Sequence, residues 1–167
     1  MKVVLKTLAI GIAGTFSTDI WIFILKFFGV HSHGLLLVGI WVTSYLPLSL
    51  QNQLSGKELL IGWTVHYFLG ISFAFLLILT YGKKRFQKPT VSSALLLGLI
   101  TFIFSLFIIQ PILNFGVAFS KYSTQPVILL KVLVFHSVYS MGLYALSQIL
   151  KVRNVRLDLK SVSGYGN

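Results

Sequence analysis

The sequence contains no cysteine and only three acidic residues among its 167. Without a thiol, disulfide exchange, thiolate catalysis and Cys-ligated zinc or iron–sulfur centres are excluded, whatever the compartment. Charged residues make up 10% of the chain and hydrophobic residues 56%, whereas a soluble domain averages about 25% charged and about 45–50% apolar residues. This composition, with a mean hydropathy of +0.87, predicts a membrane protein.

Acidic residues are so few that the net charge reaches +11, from 14 Lys and Arg. On a soluble protein this excess would suggest a nucleic-acid partner. In a membrane protein, positive charge in short loops instead marks the cytoplasmic side. We therefore predict no nucleic-acid partner and use the cations to orient the chain.

Four apolar runs come close to the ~20 residues that a helix needs to cross a ~30 Å hydrocarbon core. They predict an all-α integral membrane protein, a single domain over residues 1–150 with a bundle of four transmembrane helices. The first run continues to Phe28, which is longer than the apolar region of a cleaved signal peptide, so we interpret it as a retained span. The predicted spans are residues 5–28, 59–81, 90–113 and 127–150.

The segment from Gly34 to Leu50 is apolar but short and interrupted by Pro47. With four spans, ten Lys and Arg lie on the side of the termini and four on the other; a fifth span here would make the split five to nine. The positive-inside rule favours the more polarised arrangement, with both termini cytoplasmic. The segment is then interfacial or re-entrant on the outer side, and Trp41 and Tyr45, four residues apart, suit an interfacial helix.

Residues 151–167 are polar and basic, and we interpret them as a short cytoplasmic tail. Its cations could attract anionic lipid headgroups by ~1 kcal/mol each, or serve only as a topology signal. The sequence contains no clear internal repeat, although two helical hairpins leave an inverted repeat open.

Pairs of small residues four apart recur along the spans. Such pairs let helices approach closely in lipid, where no hydrophobic force drives association. We expect them to build the bundle, with a homo-oligomer face as the alternative; the other expected partners are membrane lipids. The pairs are Gly11 with Thr15, Gly70 with Ala74, Ala94 with Gly98, and Gly116 with Ser120.

Asp19 lies near the middle of the first span, where a carboxylate costs at least ~2.5–3.5 kcal/mol on insertion scales and marks a candidate functional site. His66 and His136 lie at a similar depth, roughly 10–14 Å below the outer surface at ~1.5 Å per residue. We predict that these three side chains approach one another in the bundle interior. The full candidate polar site is Asp19, His66, His136, Tyr67, Gln110, Asn114 and Tyr139, with Pro111 breaking the third span beside Gln110.

Three interpretations of these residues stay open. The first is a hydrogen-bond network that only stabilises the bundle. The second is a water-accessible site for a proton or small solute, in which an Asp–His pair shares one proton near neutrality. The third is a metal site of two histidines and one carboxylate, although neither span has the histidine spacing typical of metal ligands.

Sequence motifs of catalysis are missing. The chain has no Gly-rich phosphate loop and no serine-nucleophile elbow, and Asp19 is the only carboxylate within a predicted span. Phosphate-binding and acyl-transfer enzymes need those motifs. We therefore predict no enzyme activity, no catalytic residue, no cofactor and no resident metal.

Several motifs, in order, resemble the bacterial membrane protein family catalogued as domain of unknown function 2938, over about Leu8 to Leu150. The resemblance implies a protein of the bacterial inner membrane with about four spans and no established activity. Ile40 departs from the family pattern, in which an arginine is expected. The motifs are Gly11 through Thr18, Asp19 and Trp21; Gly62-Trp63-x-x-His66-Tyr67-x-x-Gly70-x-x-Phe73-Ala74; Gln110-Pro111 to Gly116-x-Ala118-x-Ser120; and His136 with Gly142-Leu143-Tyr144.

The orientation can be tested with reporter fusions. We expect a reporter placed after Asn167 and one placed within residues 51–57 to report opposite sides of the membrane, because of the ten-to-four split of Lys and Arg and the positive-inside rule. Alkaline phosphatase and green fluorescent protein fusions measure this directly. The same side for both would contradict the four-span topology.

Overall fold

The computed structural model describes residues 2–86 and 90–163, with side chains described for residues 4–76 and 90–150. Within these ranges the chain is helical and has no strand. A π-helical turn, Ser105–Ile109, joins α5 to α6, and a 3-10 turn, Val117–Phe119, precedes α7. The α-helices are α1 (Lys2–Phe27), α2 (Gly34–Ser44), α3 (Leu48–Leu54), α4 (Glu58–Phe86), α5 (Val91–Phe104), α6 (Gln110–Ile112) and α7 (Gln125–Ser163).

Four helical stretches are long and apolar enough to cross a membrane: Val4–Phe27, Glu58–Leu76, Val91–Ile112 and Gln125–Leu150. They coincide with the four predicted spans, which confirms the all-α class. The helix of α7 continues without a break through the first part of the basic tail to Ser163. The remaining tail, residues 164–167, and all tail side chains lie outside the described residues.

Large apolar side chains face outward and small ones face inward. Phe23, Phe68 and Phe107 are 71%, 68% and 60% exposed, whereas Thr15, Ala74 and Ser140 are fully buried. Lipid solvates large apolar side chains at no cost, and small side chains let helix backbones pack closely. This distribution is the one expected of a bundle surrounded by hydrocarbon.

α1 packs against both α4 and α7, and α7 packs in turn against α5. A methyl group on Gly11 would lie 2.9 Å from the backbone of Ile71, and one on Gly14 would lie 2.7 Å from Leu143. α4 and α5 meet through Phe73 and Phe104, whose rings contact edge to face at 5.5 Å between centroids. One side of the bundle is thus closed by backbone contact and the other by aromatic side chains.

Three of the predicted small-residue pairs lie in the long apolar helices, and Gly11, Gly70 and Gly98 each stand against another helix. The fourth is wrong as a helix-packing pair. Gly116 has φ of +78° and lies in the loop before α7. Only glycine adopts this backbone conformation at no steric cost, so the residue serves a turn and not a helix contact.

The segment between the first two spans forms two short helices separated at Pro47. Gly39 of α2 faces the carbonyl of Glu58, and Gly62 of α4 faces the carbonyl of Leu35. The order of these contacts is reversed along the two helices, so α2 runs antiparallel to the start of α4. The 11 residues of α2 span about 16 Å at ~1.5 Å per residue, about half of a ~30 Å hydrocarbon core.

Close approach of α2 to α4 gives a prediction for stability. A methyl group on Gly39 would lie 1.7 Å from the Glu58 carbonyl oxygen. The backbone of α2 or α4 would have to move to make room for it. We expect Gly39→Ala to lower the free energy of unfolding by about 1–3 kcal/mol, measured by thermal unfolding in detergent. Gly34→Ala, in the same helix, is the control, because its nearest neighbour there is the Ser32 hydroxyl at 3.7 Å. Equal stability of the two variants would contradict the contact.

Candidate functional site

Asp19 projects from α1 toward α4, and its side chain is 10% exposed. Two consecutive residues of α4 hold it. The His66 Nε2 atom lies 3.2 Å from Asp19 Oδ1, and the Tyr67 hydroxyl donates to Asp19 Oδ2 at 2.6 Å. Because neighbouring side chains on a helix diverge by about 100°, His66 and Tyr67 approach the carboxylate from two sides. Each carboxylate oxygen therefore has a donor.

The hydrogen bonds of Thr18 settle which nitrogen of His66 carries a proton. The Thr18 hydroxyl donates to the carbonyl of Thr15 at 2.6 Å, so its single proton is committed. Thr18 Oγ1 also lies 3.2 Å from His66 Nε2 and must act there as the acceptor. Nε2–H is then the donor to both Thr18 and Asp19, and in the neutral ring Nδ1 is an acceptor.

His66 Nδ1 makes no hydrogen bond with any residue that the structure describes. The fully buried side-chain polar atoms that lack a partner in the described chain are Trp41 Nε1 and Gln110 Oε1, so His66 Nδ1 is not fully buried. The His66 side chain is 24% exposed. The imidazole thus has one nitrogen fixed by the carboxylate and one available basic nitrogen. This is the arrangement in which an acid orients a histidine to accept and release protons.

Aromatic rings enclose the other side of this cluster. Trp63 stacks on Tyr67 at 6.1 Å with an interplanar angle of 22°, and its edge contacts the ring of His66, also at 6.1 Å. Trp63, His66 and Tyr67 lie within two helical turns of α4. The stacking limits the rotation of both residues that bind Asp19. We call Asp19, Thr18, His66 and Tyr67 the acid cluster.

His136 is not hydrogen-bonded to the acid cluster in the described part of the chain. Its Nδ1 atom lies 3.0 Å from the hydroxyl of Thr101 on α5. His136 therefore bonds Thr101 and not Asp19, and an approach of His136 to Asp19 through water stays a prediction. Tyr139, one turn from His136, donates to the carbonyl of Gly70, one turn from His66, at 2.5 Å. Equal depth places two side chains at one level without pointing them at each other.

The remaining candidates lie in separate interactions. Gln110 is buried; its Nε2 donates to Ser105 Oγ at 3.4 Å, and its Oε1 has no partner. It follows the π-helical turn, in which the Gln110 N–H bonds to Ser105 O, and precedes Pro111, which cannot donate a backbone hydrogen bond. Asn114 accepts from Lys121 in the segment between α6 and α7. The candidate polar site thus divides into the acid cluster and several separate contacts.

The described residues contain no group of three His, Asp or Glu side chains that could hold a metal ion. The three-ligand metal interpretation required Asp19, His66 and His136 to converge. Because His136 bonds Thr101 instead, that interpretation has no ligand set in the part of the chain described.

Sequence reasoning missed the two threonines that decide the protonation pattern of the histidines, Thr18 and Thr101. The hydroxyl of a threonine in a transmembrane helix usually donates to a carbonyl of its own helix, so the residue gives no sign of a contact with another helix. A detectable signal existed, since each threonine lies at the depth of a histidine on the next long helix. Pairing polar residues by depth would have raised both as candidates.

Comparison with known proteins gives one match. A family model described as a protein of unknown function, DUF2938, matches residues 8–150, which confirms the resemblance seen in the motifs. No curated protein and no solved structure matches the chain. The match supplies no evidence of catalytic activity.

Removing the carboxylate tests the hydrogen bonds of the acid cluster. Asp19→Leu leaves the Tyr67 hydroxyl and His66 Nε2–H without their acceptor, and an unsatisfied buried group costs about 1–3 kcal/mol. We expect a loss of that size in the free energy of unfolding in detergent, and a smaller loss for Asp19→Asn, which keeps one acceptor oxygen. Thr64→Leu is the control, since this exposed hydroxyl bonds only Leu60 of its own helix. Unchanged stability of Asp19→Leu would refute the network.

Proposed function

The chain belongs to the DUF2938 family, whose description assigns no function, so we propose a function from the site. We propose that the chain is a small integral membrane protein of the bacterial inner membrane, with both termini cytoplasmic. Its acid cluster, in the outer half of the bundle, binds and releases a proton. Surrounding lipids are its immediate partners, and self-association through small-residue faces is the alternative to a monomer.

The proposal rests on the different roles of the two ring nitrogens of His66. Nε2–H is committed to Asp19 at 3.2 Å, while Nδ1 has no partner in the described chain. A proton can therefore add at Nδ1 and leave from Nδ1 without breaking the contacts that hold the ring. Fixed geometry with one available basic nitrogen is what a proton carrier requires.

Charge favours the same conclusion. With His66 neutral, the cluster carries the single negative charge of Asp19, stabilised by the Tyr67 hydroxyl and by Nε2–H. With a proton on Nδ1, the carboxylate and imidazolium form a neutral ion pair, which low dielectric favours over an isolated charge. Hydrogen bonds to both oxygens of Asp19 stabilise the first state, and the attraction of opposite charges stabilises the second.

A structural role is the second candidate. Both oxygens of Asp19 have donors, as expected of a satisfied interhelical network, and such networks stabilise membrane bundles by ~0.6 kcal/mol per bond on average. This role does not require Nδ1 of His66 to be open or its side chain to be exposed. A small polar solute in place of a proton is a variant of the first proposal, recognised by the same Nδ1 acceptor.

Proton flux in proteoliposomes distinguishes the two. Vesicles containing pyranine and the purified protein are given a potassium diffusion potential, negative inside, and internal acidification is followed. We expect the wild-type rate to exceed that of protein-free vesicles, and Asp19→Asn and His66→Gln to reduce the excess by about 100-fold, the scale of a lost general acid–base group.

The matched control is Glu58→Gln, which removes a carboxylate outside the acid cluster, one that accepts from the Gly56 N–H. It should retain the wild-type flux. A wild-type rate equal to that of protein-free vesicles, with correctly inserted and folded protein, would contradict proton handling and favour the structural role.

A further inference from the structure

The four long helices form two hairpins, α1 with α4 and α5 with α7. In the first hairpin the contacts run from Thr15 to Gly70 and from Thr18 to His66. They advance along α1 while moving back along α4, so the helices are antiparallel. In the second hairpin the contacts run from Gly98 to Ser140 and from Thr101 to His136, again in antiparallel order.

The spacing of these contacts is the same in both hairpins. The two contact residues of the first helix are three apart, Thr15 and Thr18 or Gly98 and Thr101. Those of the second helix are four apart in each case. One contact in each hairpin joins a glycine to a hydroxyl side chain, with the glycine on α4 in the first and on α5 in the second. The other contact in each is a Thr–His hydrogen bond.

The Thr–His bonds also follow the same chemical logic. The Thr101 hydroxyl donates to the carbonyls of Leu97 and Gly98, both at 3.1 Å, as Thr18 donates to that of Thr15. Because its own proton is already donated, Thr101 Oγ1 accepts from His136 Nδ1–H at 3.0 Å. The available acceptor of His136 is then Nε2, whereas that of His66 is Nδ1. The structure therefore predicts opposite neutral tautomers for the two histidines.

The hairpins differ at the residue that follows the threonine. Asp19 follows Thr18 and bonds His66, whereas Phe102 follows Thr101 and its ring contacts His136 at 6.1 Å between centroids. Around His136, α5 presents Thr101 and Phe102, and α7 presents Tyr139 one turn away. In the described chain no ion pair or hydrogen bond joins His136 to a charged side chain.

We propose that the chain is a duplicated hairpin whose second copy holds a second histidine site, His136 on Thr101, and that Phe102 at the position of Asp19 makes this site a neutral acceptor for a hydrogen-bond donor, such as water or a hydroxyl, instead of a charged proton site. Since α4 ends at Phe86 and α5 begins at Val91, α5 starts on the side where α4 ends, so both hairpins run in the same sense. The repeat is therefore parallel, with its axis along the membrane normal, and not inverted.

Ring-nitrogen spectroscopy tests this without any measurement of flux, so its result is separable from the proposed function. Protein labelled with nitrogen-15 histidine in lipid nanodiscs is examined by NMR at about pH 7.5, where exposed imidazole is mostly neutral. We expect His136 to be neutral with its proton on Nδ1. His66→Gln and His136→Gln assign the signals, and exposed His33 supplies a reference ring.

Transfer of the carboxylate tests the equivalence of the two hairpins. Phe102→Asp should place a charged acceptor beside His136 and shift its ring-nitrogen signals, whereas Phe102→Asn, which has the same shape without the charge, should leave them close to those of the wild type. Thr101→Val keeps the shape of the threonine but removes the acceptor, and should abolish the preference for Nδ1–H. This variant keeps the test decisive if a charge at position 102 prevents folding.

Three results would overturn the inference. They are a wild-type His136 with its proton on Nε2, a wild-type His136 already doubly protonated at this pH, and a folded Phe102→Asp protein whose His136 signal matches that of Phe102→Asn. An unchanged tautomer in Thr101→Val would remove the Thr–His bond on which the second site rests.

Discussion

Burial of the Asp19 carboxylate in an apolar helical bundle is the constraint on which the packing of α1 against α4 depends. The Asp19 side chain is only 10% exposed, so water solvates little of it and the protein must supply donors for both of its oxygens. His66 and Tyr67 supply them from a single turn of α4. This requirement sets the rotation of α4 about its axis relative to α1, and with it the position of Trp63, which stacks on Tyr67.

Threonine has a double use that makes the histidine geometry possible. By donating its hydroxyl proton to its own helix, a threonine satisfies its polar group in lipid and leaves its oxygen as an acceptor of known direction. Thr18 and Thr101 both act in this way. Each fixes the tautomer of a histidine on the neighbouring helix, which a residue with a free hydroxyl proton would not do.

The two hairpins share this plan but differ in what surrounds it. On the side of α1 and α7, glycines bring the backbones into contact; on the side of α4 and α5, Phe73 and Phe104 fill the space between helices. α2 covers the start of α4, close to the acid cluster, through Gly39 and Gly62. The hairpin with the acid thus also has an additional short helix, whereas in the second hairpin the π-helical turn and α6, which contains Pro111, follow α5.

Hydropathy by itself predicted the all-α class, the four long apolar helices and how far along them Asp19, His66 and His136 lie, because each depends only on position along the chain. The recognition of Asp19 with His66 and Tyr67 as candidates also came from the sequence. Tertiary structure decided what depth leaves open. His136 faces Thr101 and not Asp19, Gly116 serves a turn, and Gln110 follows a π-helical turn. The physical reason is rotational: the sequence places a residue along its helix axis, but the direction in which its side chain points depends on how neighbouring helices pack, and that depends on contacts between residues far apart in the chain.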